Sequence, residues 1–340
     1  MLINNPLVSV ILPVYGNCKF LRYSVDSILR QTVGDLELII VYDNIILTEQ
    51  FVKQNNLEDN RIKLIKGNGN GLSSALNIGI KNSSGKYIAR MDSDDISELN
   101  RIEMQIKYME NNELDACGTY IEYFGSSNYK RLFPVNFENI VFLLQFGAQI
   151  AHPSAMFKSN FFAKIKYDES YKQVEDLDLW MRAILSGKLL GNVPEYLLKY
   201  RTHFDQASKK TRLMQYEISN KLAISYSNNY FGDKYVKIFS QYSFGFNEKL
   251  DFSDSLNFMN QFLKESSLRN IDKDILKIYI LSYLSRTRIT NPLKIFVFKN
   301  LIKKYKIYIS ISYFFFFYLN NLLPKKLANN IILILKKIYK

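Results

Sequence analysis

The sequence predicts an α/β protein with a doubly wound, mostly parallel sheet, followed by a C-terminal helical region and a basic amphipathic tail. Three observations predict it. Short apolar runs alternate with helically patterned segments through the first hundred residues, apolar residues at three-and-four spacing dominate after residue 208, and Thr290 to Lys340 holds ten lysines and no acid.

The first strand is "LVSVILPV", Leu7 to Val14, apolar throughout as a strand buried on both faces must be. A helical pattern covers Lys19 to Gln31, and "LELIIVYD", Leu36 to Asp43, is the second strand. A polar helix near Thr48 to Asn56 leads to the third strand, "RIKLIK", Arg61 to Lys66. The glycine-rich "GNGNG", Gly67 to Gly71, lacks a P-loop lysine and dinucleotide spacing, and is expected to be a flexible turn. A helix over Leu72 to Asn82 precedes the fourth strand, "KYIARM" from Lys86. In such sheets the ligand lies beyond the carboxyl ends of the strands, where "PVYGN", Asp43 and the acids of "MDSDD" all fall. After residue 208, "RLMQYEISNKLAISYSNNYF", "DSLNFMNQFLKESS" and "DILKIYILSYLS" read as helices.

At 340 residues and 47% hydrophobic, the chain can bury one large core or two moderate ones. Cys18 and Cys117 are too few for a disulfide framework or thiolate zinc site, and His152 and His203 too few for a histidine-rich metal centre. A reducing cytosol is expected. The N-terminal apolar run has no basic flank and is broken by Pro13, so no export is expected. The net charge of +13 is concentrated in the tail, which argues against a nucleic-acid partner. There the lysines flank an uncharged run, Ile307 to Leu323, of roughly seventeen residues, marginal for crossing a bilayer. An interfacial helix on anionic lipid is the first expectation, and a helical pair packed on the body is the alternative.

Two acidic groups carry the candidate chemistry. Asp92, Asp94 and Asp95 are hard oxygen donors suited to Mg²⁺ or Mn²⁺, or Asp94, Asp95 or Ser97 caps the helix through "LNRIEMQIKYMEN"; the residues alone fit both readings equally. Glu175 and Asp176 open an apolar helical pattern, and by themselves favour N-terminal capping over catalysis. His152 and His203 divide evenly between packing and ligand contact, and Trp180 reads as packing with stacking on a ligand as the alternative.

Taken in order, "VSVILPVYGN", "ELIIVYD", "RIKLIKGNGNGLSSALNIGIKNSSGKYIARMDSDD", "HPSAMFK", "VEDLDLWMR" and "YRTH" resemble the family 2 glycosyltransferases of GT-A fold over roughly Pro6 to Ser208. The resemblance implies that Pro13, Val14 and Tyr15 line the nucleotide pocket, that Asp43 accepts a hydrogen bond from the base, and that Arg90 orients the diphosphate. It implies Asp92 and Asp94 as a D-x-D pair, Asp92 on the nucleotide side and Asp94 on the metal, with Asp95 a neighbouring ligand or ribose contact. Asp176 matches the base, Glu175 its partner, His203 an extra metal or phosphate contact, and His152 and Trp180 acceptor contacts. The chain departs from the family after the second strand: relatives read Asp-Asp-Gly-Ser-Thr-Asp where this one has Tyr42, Asp43, Asn44, Ile45, Ile46 and Leu47.

The expected organisation is a GT-A domain over 1–208, divided into a nucleotide-sugar half (1–115) and an acceptor half (116–208), a helical module over 209–289, and a membrane-surface tail over 290–340. The expected activity is inverting transfer of a hexose, glucose or galactose favoured, from a UDP-sugar to a polyprenyl-diphosphate-linked sugar. A β linkage is expected, β-1,3 as its commonest form, with Mn²⁺ or Mg²⁺ as cofactor, on the cytoplasmic face of a bacterial inner membrane in O-antigen or other surface polysaccharide synthesis. The alternatives are a transferase with a soluble or protein acceptor, a sugar-phosphate nucleotidyltransferase, and a non-enzymatic basic binding module.

Overall fold

The computed structural model describes residues 5–16, 19–44, 49–203, 212–232, 252–284 and 293–308. The chain divides into two compact units, Met1–Val236 and Lys237–Lys340.

The first unit begins with β1 (Val8–Tyr15), α1 (Leu21–Leu29), β2 (Leu36–Asp43), α2 (Glu49–Gln54), β3 (Ile62–Lys66), α3 (Leu72–Lys81) and β4 (Tyr87–Arg90). These strands pair in parallel in the order β3-β2-β1-β4. The chain thus steps outward from β1 to β3 and returns to the other side of β1, creating the switch point where open α/β sheets bind ligands. Both faces of the sheet are covered, which is why these strands read as unbroken Val and Ile runs. Val8, Val10 and Leu12 pack in one cluster with Leu21, Val25 and Ile28 of α1, while Ile39 and Val41 pack with Ala75 of α3. Register aligns the carboxyl ends: Tyr15 lies opposite Asp43, and β4 leaves the ladder at Arg90, opposite Ile11.

The second half of the sheet is mixed. After β5 (Ile96–Ser97) and α4 (Arg101–Asn111) come β6 (Ala116–Gly125), β7 (Tyr129–Arg131), α5 (Phe137–Leu143), β8 (Met156–Lys158), α6 (Glu175–Leu185) and β9 (Leu190–Thr202). β8 runs antiparallel between β4 and β6, β6 and β9 pair in parallel, and β5 pairs antiparallel with β9. By paired residues the sheet is mostly parallel, as expected. The strands of this half were not legible beforehand, because "ACGTYIEYFG" shows neither alternation nor a sustained apolar run.

Helix α7 (Arg212–Phe231) groups with the first unit, Met1–Val236. Tyr226 donates from its hydroxyl to the Val141 carbonyl at 3.0 Å, and Ser227 bonds Gln145, a pair of contacts that helical spacing cannot reveal. In the second unit, α8 (Phe252–Leu268), α9 (Lys273–Leu284) and α10 (Leu293–Lys304) bury Met259, Leu263, Ile280 and Phe298 among others. Most of the uncharged run 307–323, with the interfacial helix expected there, lies outside the described residues. Among the described residues no helix is long and apolar enough to cross a membrane.

Candidate active site

The acidic loop follows β4 directly. Asp92, Asp94 and Asp95 each offer a carboxylate oxygen within 4.8 Å of the others. Helix α4 starts only at Arg101, with Asn100 as its N-cap and no side-chain capping bond, so the three aspartates do not cap it. The loop is held in place from several sides. Ser24 of α1 donates to the Asp95 carbonyl at 2.7 Å, and the Arg201 amide donates to Asp95 Oδ1 at 2.8 Å. Asp95 Oδ2 is buried without a hydrogen-bond partner among the described residues. Three clustered hard-oxygen donors, one carrying a buried unpaired oxygen, fit a divalent cation such as Mg²⁺ or Mn²⁺. Burial, and then repulsion from Asp92 and Asp94, raises the Asp95 carboxyl well above its usual range; burial and Asp94 raise Asp92 against the pull of Arg90.

Arg90 connects this loop to the second acidic group. It is 4% exposed, and its guanidinium donates to Asp92 at 2.9 Å. Burial alone would lower its pKa, but the charges of Asp92, Tyr167, Asp95 and Glu175 leave it raised. Glu175 and Asp176 occupy the first turn of α6, where Asp176 Oδ1 accepts the Leu177 amide at 2.8 Å. Burial, and then its neighbour Asp176, pushes the Glu175 carboxyl up to about 7; burial also raises Asp176. Val174 is the N-cap of α6 and makes no side-chain capping bond, so the acid of this pair that holds the Leu177 amide does so from within the first turn.

On the other side of β1, Asp43 ends β2 and accepts the Gly69 amide at 3.0 Å. A Cβ at Gly67 would lie 2.5 Å from both Asp43 carboxylate oxygens, so "GNGNG" is fastened onto Asp43 and is not the free turn expected from composition. Pro13 and Val14 close β1, and Tyr15 beside them is 75% exposed. Residues 45–48 of the divergent base-side loop lie outside the described residues.

His203 Nε2 lies 3.0 Å from Asp94 Oδ2, which places it at the acidic loop. His152 is buried, bonds the Tyr167 hydroxyl at 2.8 Å, and is held neutral by burial and by Arg90. Trp180 is fully buried and stacked on Phe157 at 5.4 Å between ring centroids. It offers no face to an acceptor sugar, and the stacking alternative is corrected to packing.

Arg201 is the residue that sequence reading passed over, although it stands in "YRTH" beside the histidine. Its Nε donates to the Asp94 carbonyl at 2.7 Å, and its guanidinium lies 4.1 Å from the Phe20 ring centroid and 4.4 Å from that of Phe124. One side chain thereby ties the loop after β1, the acidic loop and the end of β6 together. Arg101, fully buried behind them, donates to the Arg90 and Pro153 carbonyls.

Comparison with known proteins identifies the family. The profile of Glycosyl transferase family 2 matches residues 9–166. An uncharacterized glycosyltransferase of Methanocaldococcus jannaschii is 34% identical over 63% of this chain and 78% of its own. The O-antigen biosynthesis glycosyltransferase WbnJ of Escherichia coli is 35% identical over 63% of this chain and 86% of its own. Among solved structures, S. aureus TarS 1-349 in complex with UDP-GlcNAc superposes with a TM-score of 0.53 at 14% identity, over 88% of this chain and 89% of that one, a likeness of fold. With two glycosyltransferases matched at 34% and 35% identity over more than two thirds of their own lengths, and the family profile over residues 9–166, the chain belongs to glycosyltransferase family 2 and is a glycosyltransferase.

Proposed function

We propose that the enzyme transfers a hexose, glucose or galactose, from a UDP-sugar to a sugar carried on a polyprenyl diphosphate, with inversion to a β linkage, β-1,3 being the form favoured. The carrying observation is that buried Arg90 is bonded to Asp92 of the acidic loop and also feels the charge of Glu175 from the start of α6. Asp43 and the Pro13–Tyr15 segment form the nucleotide end, and the O-antigen relative supports a surface polysaccharide as the product.

Asp94 and Asp95, with His203 beside Asp94, would hold Mn²⁺ or Mg²⁺, which supplies Lewis-acid stabilisation of charge on the leaving diphosphate. Arg90 adds a fixed positive charge on the same side. Asp176 takes the proton of the attacking acceptor hydroxyl. Glu175, its carboxyl pushed up to about 7, is partly protonated near neutral pH, and in its protonated form it leaves the negative charge of the pair on Asp176, the base. A single base with no carboxylate nucleophile gives inversion. The lysine-rich tail from Thr290 supports a peripheral site of action on the cytoplasmic leaflet of the inner membrane.

The test is to incubate purified protein with a panel of nucleotide sugars, Mn²⁺, and lipid-diphosphate, soluble-glycan and protein acceptors, to identify products by mass, and to assign the new linkage as α or β by its anomeric proton coupling in NMR. Hexose addition to the lipid-diphosphate sugar supports the reading. Transfer only to a soluble glycan or a protein overturns the acceptor, and an α-linked product overturns inversion.

A further inference from the structure

The hairpin of β6 and β7 carries an aromatic stack that none of the roles above uses. β9 pairs along β6 from Ala116 to Gly125, so β8 and β7 share its other side, β8 at Ala116–Cys117 and β7 at Ile121–Tyr123. β4 and β6 point the same way, both antiparallel to β8, so β7 lies at the carboxyl edge where β4 gives way to the aspartates. In the order β3-β2-β1-β4-β8-β6, the nucleotide end at β1 and β2 falls on one side of the acidic loop and this hairpin on the other.

Tyr123 pairs with Tyr129 and Ile121 with Arg131, which puts Tyr123, Tyr129 and Arg131 on one face. Tyr123 and Tyr129 stack at 4.1 Å with their planes 13° apart, and Tyr123 meets Tyr200 at 5.0 Å. Tyr200 is close enough to Asp92 and Asp95 for their charges to raise its hydroxyl's pKa, after burial, and Arg131's charge reaches Asp176. The stack thus runs from beside the acidic loop outward to Tyr129, which is 53% exposed, with exposed Arg131 two residues along. An exposed ring backed by a second ring is a rigid apolar platform suited to the C–H face of a pyranose, and an adjacent guanidinium suits phosphate oxygens.

We propose that this hairpin is the acceptor subsite, Tyr129 stacking on the acceptor pyranose and Arg131 pairing with the diphosphate that carries it. The proposal rests on the lipid-diphosphate acceptor reading above and adds the residues that recognise it.

The test measures acceptor and donor KM separately for Tyr129→Ala, Tyr129→Phe, Arg131→Ala and Arg131→Lys. It uses the panel's lipid-diphosphate sugar and the same sugar as a plain alkyl glycoside. Tyr129→Ala should raise acceptor KM roughly tenfold for both probes, Tyr129→Phe should leave it near wild type, and donor KM should stay within about twofold. Arg131→Ala should raise KM roughly tenfold for the diphosphate probe alone, with partial rescue in Arg131→Lys. Unchanged acceptor KM in Tyr129→Ala and Arg131→Ala overturns the subsite. A rise in donor KM in Arg131→Ala reassigns Arg131 to the UDP diphosphate and overturns its acceptor role. Wild-type protein that ignores both probes is instead a failure of the acceptor reading itself.

Discussion

Replacing Glu175 by glutamine should make the protein more stable, and increasingly so as pH rises. Glu175 is 7% exposed, and its carboxyl is pushed up to about 7 from 4.5 by burial and by Asp176. A carboxyl raised on folding binds its proton more tightly in the native state. Its contribution is therefore fully present below about pH 4.5 and is lost as pH climbs through about 7. A shift of about 2.5 units at about 1.4 kcal/mol per unit gives a loss of about 3 kcal/mol at pH 8, against about 1 kcal/mol at pH 5. Glutamine keeps the size and an acceptor oxygen but never ionises, so Glu175→Gln should exceed wild type by about 1 kcal/mol at pH 5 and about 3 kcal/mol at pH 8. Urea denaturation of both proteins in chelator, across that range, measures the difference directly. A stability difference that does not change with pH would refute the argument, because it would mean that Glu175 titrates alike in the folded and unfolded chain.

Asp94→Ala should remove most activity while circular dichroism shows the fold intact, and chelation should inactivate the wild type; full activity in excess chelator would contradict a metal at the aspartates. Asp176→Asn should lower turnover by roughly two to four orders of magnitude with donor affinity nearly unchanged, whereas a near-wild-type rate would leave only its amide contact to Leu177. Arg201→Ala removes the bond to the Asp94 carbonyl and the stacks on Phe20 and Phe124, and should weaken Mn²⁺ binding to the isolated protein roughly tenfold or more by electron paramagnetic resonance. Arg201→Lys should restore little of that affinity, since it lacks the planar fork, and normal Mn²⁺ affinity in the alanine variant would disprove the positioning role. Truncation after Arg288 should abolish salt-sensitive sedimentation with anionic vesicles, given ten lysines at about 1 kcal/mol each near such a surface, and unchanged sedimentation would rule the tail out as the anchor.

The parallel half of the sheet could be read from sequence because burial on both faces demands unbroken apolar strands, and β2 was located from Leu36 to Asp43 to the residue. The acids of "MDSDD" and "VEDLD" were visible too, since charge at a strand end or helix start is a local signal. What they do together was not local. Only the three-dimensional chain shows that α4 begins too late for the aspartates to cap it, and that Arg90 faces acids from two distant segments. Trp180 shows the limit from the other side, because nothing in its neighbours' spacing tells a stacked core ring from an exposed platform. Arg201 and the Tyr123–Tyr129 stack escaped notice for the same reason. Their partners lie on other strands, and pairing register, set by the whole sheet, decides which side chains meet. Sequence by itself determined the element types and the kinds of chemical group available, through periodicity and charge. Tertiary structure alone decided which groups share a low-dielectric space, and so which carboxyls are raised, which guanidinium feels their charges, and which rings stack.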